Sequence, residues 1–231
     1  MSKSILLIRH AESANNALPE CERVPDPGLT QRGVEQAQRL VAALAGRRIA
    51  HLHCSPFLRS LETTRPSAEH LQMTPRIISD IYEQGGCYSG YEEGLLKGEP
   101  GMSRSELAAR YSGWHIDPLI SEHGWNSGRD YENDEEVKVR ARNVARRLHA
   151  EWPSLPDGFD LALVIHADFK RVLIAEMLLS DSWAGSEQPI WNTGISRLVR
   201  NDDRWELIEW NSADHLPGEL RTPIQRDPSA V

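Results

Sequence analysis

Arg9-His10-Ala11-Glu12-Ser13-Ala14-Asn15-Asn16 sets an imidazole directly beside a guanidinium, with an amide side chain six residues beyond the histidine. A guanidinium fork matches phosphate oxygens bidentately, and a neutral imidazole is able to attack phosphorus and form a phosphohistidine. Ser55-Pro56-Phe57-Leu58-Arg59 brings a second arginine, and Val164-Ile165-His166-Ala167-Asp168 a second histidine. Together they are the raw material for binding and attacking a phosphoryl group. His51-x-His53-Cys54 puts two more histidines on one face of a strand, where they would either pack or ligate a metal. No third ligand follows at a matching spacing, so packing is expected and no metal site is assigned.

These side chains have to be delivered by regular elements. Ile5 to Ile8 is a short aliphatic run without helical period, the pattern of a buried strand, and it hands Arg9 and His10 to its C-terminal tip. Residues 18–28 read as a proline-rich loop. Thr30 then caps a helix whose apolar positions Val34, Ala37, Leu40, Val41 and Leu44 follow the 3.6 period up to Gly46. Ile49 to Cys54 is a second strand. Ser55-Pro56 is expected to open the next helix with a capping hydroxyl and a proline at its first position, and Pro66 to end or kink it. Arg76 to Tyr82 reads as a third strand, delivering Glu83, and Leu161 to His166 as a fourth. Helices are expected over Glu135 to Trp152 and Phe169 to Leu179, with Asp168 capping the latter. Ile195 to Arg200 and Trp205 to Trp210 form a closing hairpin, and the tail with Pro217, Pro223 and Pro228 is irregular. Strands alternating with helices predict an α/β fold, a three-layer sandwich with a mostly parallel central sheet flanked by helices. In such sheets ligands bind beyond the carboxyl ends of the strands, where Arg9, His10, Glu83 and His166 fall.

The composition limits the function classes. The 231 residues suit one domain, 1–231, carrying an insertion at about 84–132. With 26 Lys and Arg against 34 Asp and Glu, a net charge of -8 would repel nucleic acid and anionic lipid, and neither is an expected partner. The longest aliphatic runs fall far short of the ~18 residues of a membrane span, and the first residues leave no room for a signal-peptide apolar region. A cytoplasmic location is the expectation. Cys21, Cys54 and Cys87 are odd in number and lack CxxC spacing, as reduced thiols would. The sequence is compatible with a homodimer.

Five blocks in order resemble the histidine phosphatase superfamily, also called phosphoglycerate mutase-like, from Ile5 to about Asn211. They are Arg9-His10-Ala11-Glu12-Ser13 with Asn16; Asp26-Pro27-Gly28-Leu29-Thr30-Gln31-Arg32-Gly33 with Gln36-Ala37; Ser55-Pro56-Phe57-Leu58-Arg59 with Thr63; Glu83; and Val164-Ile165-His166. The resemblance implies that His10 is the nucleophile, that Arg9, Asn16, Arg59 and His166 hold the phosphate, and that Glu83 donates the proton. This chain departs from the family in having Ala11 and Ala167 where glycine usually follows each histidine.

The insertion carries Lys97, Arg104, Arg110 and Arg129 against eight acidic side chains, a balance that favours a small phosphomonoester over a polyphosphate. Tyr88, Tyr91, Tyr111, Trp114, Trp125 and Tyr131 would build either an amphipathic wall for the leaving group or a small core for the insertion; Tyr88, Trp114, Trp125 and Arg129 are the candidate substrate-pocket residues. Mutases of the family typically follow the acid with an Arg-His-Tyr-Gly-like stretch, where this chain has Gln84-Gly85-Gly86-Cys87. Hydrolysis of a small phosphomonoester is therefore favoured over cofactor-dependent mutase chemistry. A non-catalytic phospho-ligand binder is the third reading, disfavoured because a binder needs neither nucleophile nor acid. No cofactor is expected, because two arginines and His166 supply the positive charge a metal would bring. Activity should survive EDTA; loss of activity restored by a divalent cation would overturn this and return His51 and His53 to consideration.

Overall fold

A computed structural model describes residues 3–90, 95–183 and 185–222. In chain order the elements are β1 (Ser4–Arg9), α1 (Ala14–Ala17), α2 (Gln31–Ala45), β2 (Ile49–Cys54), α3 (Leu58–Leu71), β3 (Arg76–Ile77), β4 (Tyr88–Ser89), β5 (Lys97–Gly98), α4 (Arg104–Arg110), β6 (His115–Ile116), α5 (Asp134–Glu151), β7 (Asp160–Ile165), α6 (Ala167–Leu178), β8 (Ile195–Asn201) and β9 (Arg204–Ser212). Seven strands form one sheet in the order β6-β3-β2-β7-β1-β8-β9. It is parallel from β6 to β1 and closes with the antiparallel β8 and β9 hairpin. The α/β sandwich expected from the alternation of elements is the architecture observed.

Strand β1 shows why the layers form. Ile5 and Leu7 join a core with Val144, Leu148, Phe169 and Leu173 of α5 and α6, while Leu6 and Ile8 join another with Leu40, Leu44 and Leu61 of α2 and α3. All four aliphatic side chains are fully buried. Each contributes about 1.5–3 kcal/mol, so a strand without polar alternation is stable only between two helical layers. Helix α2 begins as its sequence predicts, with Thr30 Oγ1 accepting the Gly33 N–H at 3.0 Å. A Cβ on Gly33 would lie 2.0 Å from the Glu12 carbonyl oxygen, so glycine is what lets α2 press against the segment after His10.

Several local expectations give way to tertiary contacts. Helix α3 starts at Leu58, and its first N–H is taken by the carboxylate of the distant Asp26 at 2.8 Å, not by Ser55. The helix runs on past Pro66 to Leu71. The third strand stops at Ile77: the Ile78 N–H still donates to the Cys54 carbonyl of β2 at 2.9 Å, but beyond it the Ser79 N–H donates to Asp117 Oδ2 at 3.0 Å and Asp80 pairs with Arg147. Asp168 lies within the first turn of α6, paired with Arg171 at 2.8 Å, while His166 occupies the N-cap position. The insertion shows no clear strand in its sequence, yet three short ones form there. Besides the hairpin of β4 and β5 and helix α4, it supplies β6, which extends the main sheet beside β3. Tyr91 and the distal prolines Pro223 and Pro228 lie outside the described residues. Among the described residues no helix is long and apolar enough to cross a membrane.

The end of the insertion is clamped to α5 by Arg140. Its guanidinium meets Glu132 through two bonds and donates to the Asp80 and Tyr82 carbonyls, each at 3.0 Å, while lying 3.7 Å over the Tyr82 ring. Both partners of this pair are about nine-tenths buried, so removing one leaves the other charge buried and uncompensated. Arg140→Ala should cost about 3–5 kcal/mol in urea unfolding, with lysine failing to restore the fork.

Candidate active site

Strands β1 and β7 lie side by side with Arg9 opposite Ile165, so the residues that follow them, His10 and His166, leave the sheet at the same edge. Their ring centroids are 5.1 Å apart. His10 Nδ1 lies 2.7 Å from the Ala11 carbonyl oxygen, which only accepts, so Nδ1 carries the proton. Nε2 is left with its lone pair, which takes the Arg59 Nε–H at 3.2 Å. Burial first, and then the charges of Arg59 and Arg9, hold the His10 pKa well below the usual histidine range. His10 is therefore a neutral imidazole with a defined tautomer, the form a nucleophile requires.

Ser55 belongs to this site rather than to the helix after it. Its Oγ lies 2.7 Å from His166 Nε2, with Ser60 Oγ at 3.4 Å from the same nitrogen, and it accepts the Phe57 N–H at 3.4 Å. The other ring nitrogen, Nδ1, is a buried atom without a hydrogen-bond partner among the described groups. Arg59 comes from the first turn of α3, as predicted, and lies 3.9 Å over the Phe57 ring. Asp26, at the head of the same helix, is pushed up to about 6 by burial against the opposing pull of Arg59. The Arg9 guanidinium donates to the Ile190 carbonyl. Asn16 accepts the Ser13 N–H at 3.1 Å through Oδ1, so its amide nitrogen remains the end that donates.

Glu83 follows a segment whose carbonyls Arg140 holds. Its Oε1 accepts the Phe169 N–H at the start of α6 and the Gln84 N–H, both at 3.0 Å. Burial and the neighbouring Asp168 nonetheless raise its pKa above the usual carboxylate range, as an acid that must carry a proton requires. Neither Ala11 nor Ala167 has positive φ, so alanine in place of the family's glycine introduces no left-handed strain.

The substrate-pocket candidates separate. Tyr88 is half-buried and packs edge-on against Tyr131 at 5.0 Å. Arg129 is exposed, stacked 5.1 Å over Tyr82 and bonded to the Asn126 and Trp125 carbonyls. Trp125 is core: its ring is buried against Phe57 and Tyr82. Trp114 packs on Tyr111 and lines a groove with Met73 and His51, so the structure does not bring it to His10. His51 and His53 share a strand face with ring centroids 6.0 Å apart, and burial pushes the His53 pKa down to about 3. Among the described residues no group of three His, Cys, Asp or Glu side chains is arranged to hold a metal. Sequence reasoning missed the segment 190–194, which touches Arg9, His10 and Asn16. Its only local signal is an Asn-Thr-Gly turn before β8, and nothing in the sequence says that β8 lies beside β1.

The chain matches the profile of the histidine phosphatase superfamily (branch 1) over residues 5–213. It is 25% identical to the probable phosphoglycerate mutase GpmB of Salmonella arizonae, over 96% of this chain and 99% of that one. A putative alpha-ribazole-5'-P phosphatase from Escherichia coli superposes with a TM-score of 0.62 at 20% identity, covering 92% of this chain and 97% of that one. A phosphoserine phosphatase from Entamoeba histolytica, solved as a mutant with phosphoserine, gives 0.64 at 19%, covering 93% and 100%. A mycobacterial glucosyl-3-phosphoglycerate phosphatase gives 0.61 at 20%, covering 92% and 100%. Similarity that runs from the first strand to the last, on a sheet that brings both histidines to one edge, means that this chain belongs to branch 1 of the histidine phosphatase superfamily.

Proposed function

We propose that the protein is a phosphoric monoester hydrolase that transfers the phosphoryl group of a small monoester to His10 and then to water. The observation that carries this reading is His10 itself, buried and neutral, with Nδ1 tied to the Ala11 carbonyl and Nε2 facing Arg59. Nε2 attacks phosphorus, the bond to the leaving oxygen breaks, and Glu83 gives its proton to that oxygen. Water then attacks the phosphohistidine, Glu83 takes back a proton, and phosphate leaves. Arg9, Arg59, Asn16 and His166 hold the equatorial oxygens throughout, and the positive charge of the two arginines makes a metal unnecessary. Small monoesters are favoured by the acidic insertion and by the kinds of phosphatase that share the fold. The second reading, mutase chemistry, is favoured by the names of the sequence relatives. Against it, the segment after Glu83 is Gln84-Gly85-Gly86, without the cationic side chains that would hold a second anionic group.

A panel of phosphomonoesters assayed for phosphate release, with bisphosphoglycerate-primed mutase activity alongside, separates the two readings. Quenched enzyme should hold acid-labile, alkali-stable phosphate, and full activity in His10→Ala would sink the assignment. Glu83 is tested by single-turnover phosphorylation of His10. An alkyl or sugar alkoxide needs a proton as it leaves and p-nitrophenolate does not, so Glu83→Gln should lose most of about 10² to 10⁴-fold with the first and little with the second. Because the acid must be protonated, the native rate with the alkyl ester should fall as pH rises through the raised Glu83 pKa. In Glu83→Gln that limb should be lost, leaving only the dependence shared with p-nitrophenyl phosphate. Equal losses with both leaving groups would remove Glu83 from the role.

A further inference from the structure

Three of the site residues meet one short segment that no part of the reaction uses. The Arg9 guanidinium donates to the Ile190 carbonyl, the Arg9 N–H to the Gly194 carbonyl at 3.2 Å, and the Thr193 N–H to the Arg9 carbonyl at 3.0 Å. The centre of the segment is Asn192, whose side chain is 1% exposed. Its amide nitrogen donates to the His10 carbonyl at 2.9 Å and to Asn16 Oδ1 at 3.3 Å. One amide group thus bridges the main chain of the nucleophile and the side chain of a phosphate ligand.

The segment is built to hold that amide still. Thr193 adopts φ of 55°, a left-handed conformation that a β-branched residue rarely accepts. Its hydroxyl contacts the Asn192 carbonyl at 2.8 Å and His215 Nε2 at 2.9 Å, and the buried Lys170 Nζ donates to the Gly194 carbonyl at 2.9 Å. A strained residue over-determined on both sides belongs to a segment whose geometry matters.

We propose that Asn192 is a positioning residue for phosphoryl transfer, fixing the carboxamide of Asn16 so that its nitrogen, not its oxygen, faces the phosphoryl group of the bound substrate. Asn16 Oδ1 receives both the N–H and the hydroxyl of Ser13 from its own loop and the Asn192 amide from across the site. Donors on both sides of one oxygen decide which way round the carboxamide sits, and Asn192 supplies the one that comes from outside the loop. An oxygen turned toward phosphate would repel it where the nitrogen would donate. The same amide ties Asn16 to the His10 carbonyl, so the phosphate ligand and the attacking ring keep one spacing.

This inference rests on the phosphoryl-transfer reading, and the test keeps the two apart by measuring equilibrium binding of orthovanadate instead of turnover. Asn192→Ala and Asn16→Ala are made singly and together. Each single variant should weaken orthovanadate binding by on the order of tenfold, the scale of one hydrogen bond to a charged group. The double variant should bind about as weakly as Asn16→Ala alone, because the orientation that Asn192 fixes then has no carboxamide left to act on. Losses that multiply in the double variant, or a single Asn192 variant that binds like the native protein, would overturn the proposal. If Asn192→Ala does not fold, Asn192→Ser, which is too short to reach both acceptors, takes its place in the same cycle. Native protein that binds no orthovanadate would overturn the phosphoryl-transfer reading itself.

Discussion

The site depends on the register between β1 and β7. Ser4 to Arg9 lie opposite Asp160 to Ile165 without a break, and the His10 N–H completes the ladder on the Ile165 carbonyl at 2.8 Å. A slip of one residue would exchange the faces of Ile5 to Ile8 and turn His10 away from His166. Such a slip is prevented by burial on both sides, because each alternate side chain of β1 already belongs to a different helical layer. The hydrophobic packing that stabilises the fold is therefore the same constraint that sets the spacing of the two imidazoles.

Once the histidines are together, burial decides their chemistry. Desolvation and the arginine charges act in one direction on His10 and His166 and keep both neutral. Desolvation acts in the other direction on Glu83 and raises it. One water-poor environment thus disfavours the charged form of both imidazoles and of the carboxyl together, the combination that the proposed phosphoryl transfer needs. The cation of Arg9 is met by a main-chain carbonyl in place of a carboxylate, which orients the guanidinium without cancelling the charge that a phosphate would seek.

The insertion is tied into the same frame. Arg140 binds Glu132 at its end and the carbonyls of Asp80 and Tyr82 before its start, so Glu83 is approached by a fixed backbone. Trp125 packs on Phe57, which in turn packs on His166 at 5.0 Å, so the insertion reaches the site through one layer of aromatic rings. Sequence composition grouped its aromatics as a single wall or a single core. The fold divides them, with Trp125 internal, Trp114 facing a groove toward His51, and Tyr88 paired with Tyr131.

The sequence by itself determined the strand tips and what they carry. Ile5 to Ile8 and Leu161 to Ile165 have no reading other than buried strands, and Arg9, His10 and His166 follow at once, because short-range hydrophobic pattern is enough to place a residue at the end of a strand. Thr30 and the closing hairpin were legible for the same local reason. What only tertiary structure decided involves partners far apart in the chain. The cap of α3 comes from Asp26, the end of β3 from Asp117 and Arg147, and the edge strand β6 from within the insertion. Asn192 stands 182 residues from the His10 carbonyl it binds, and no local propensity encodes such a bond. It exists because β8 pairs antiparallel with β1, which brings the turn before β8 to the edge where β1 ends.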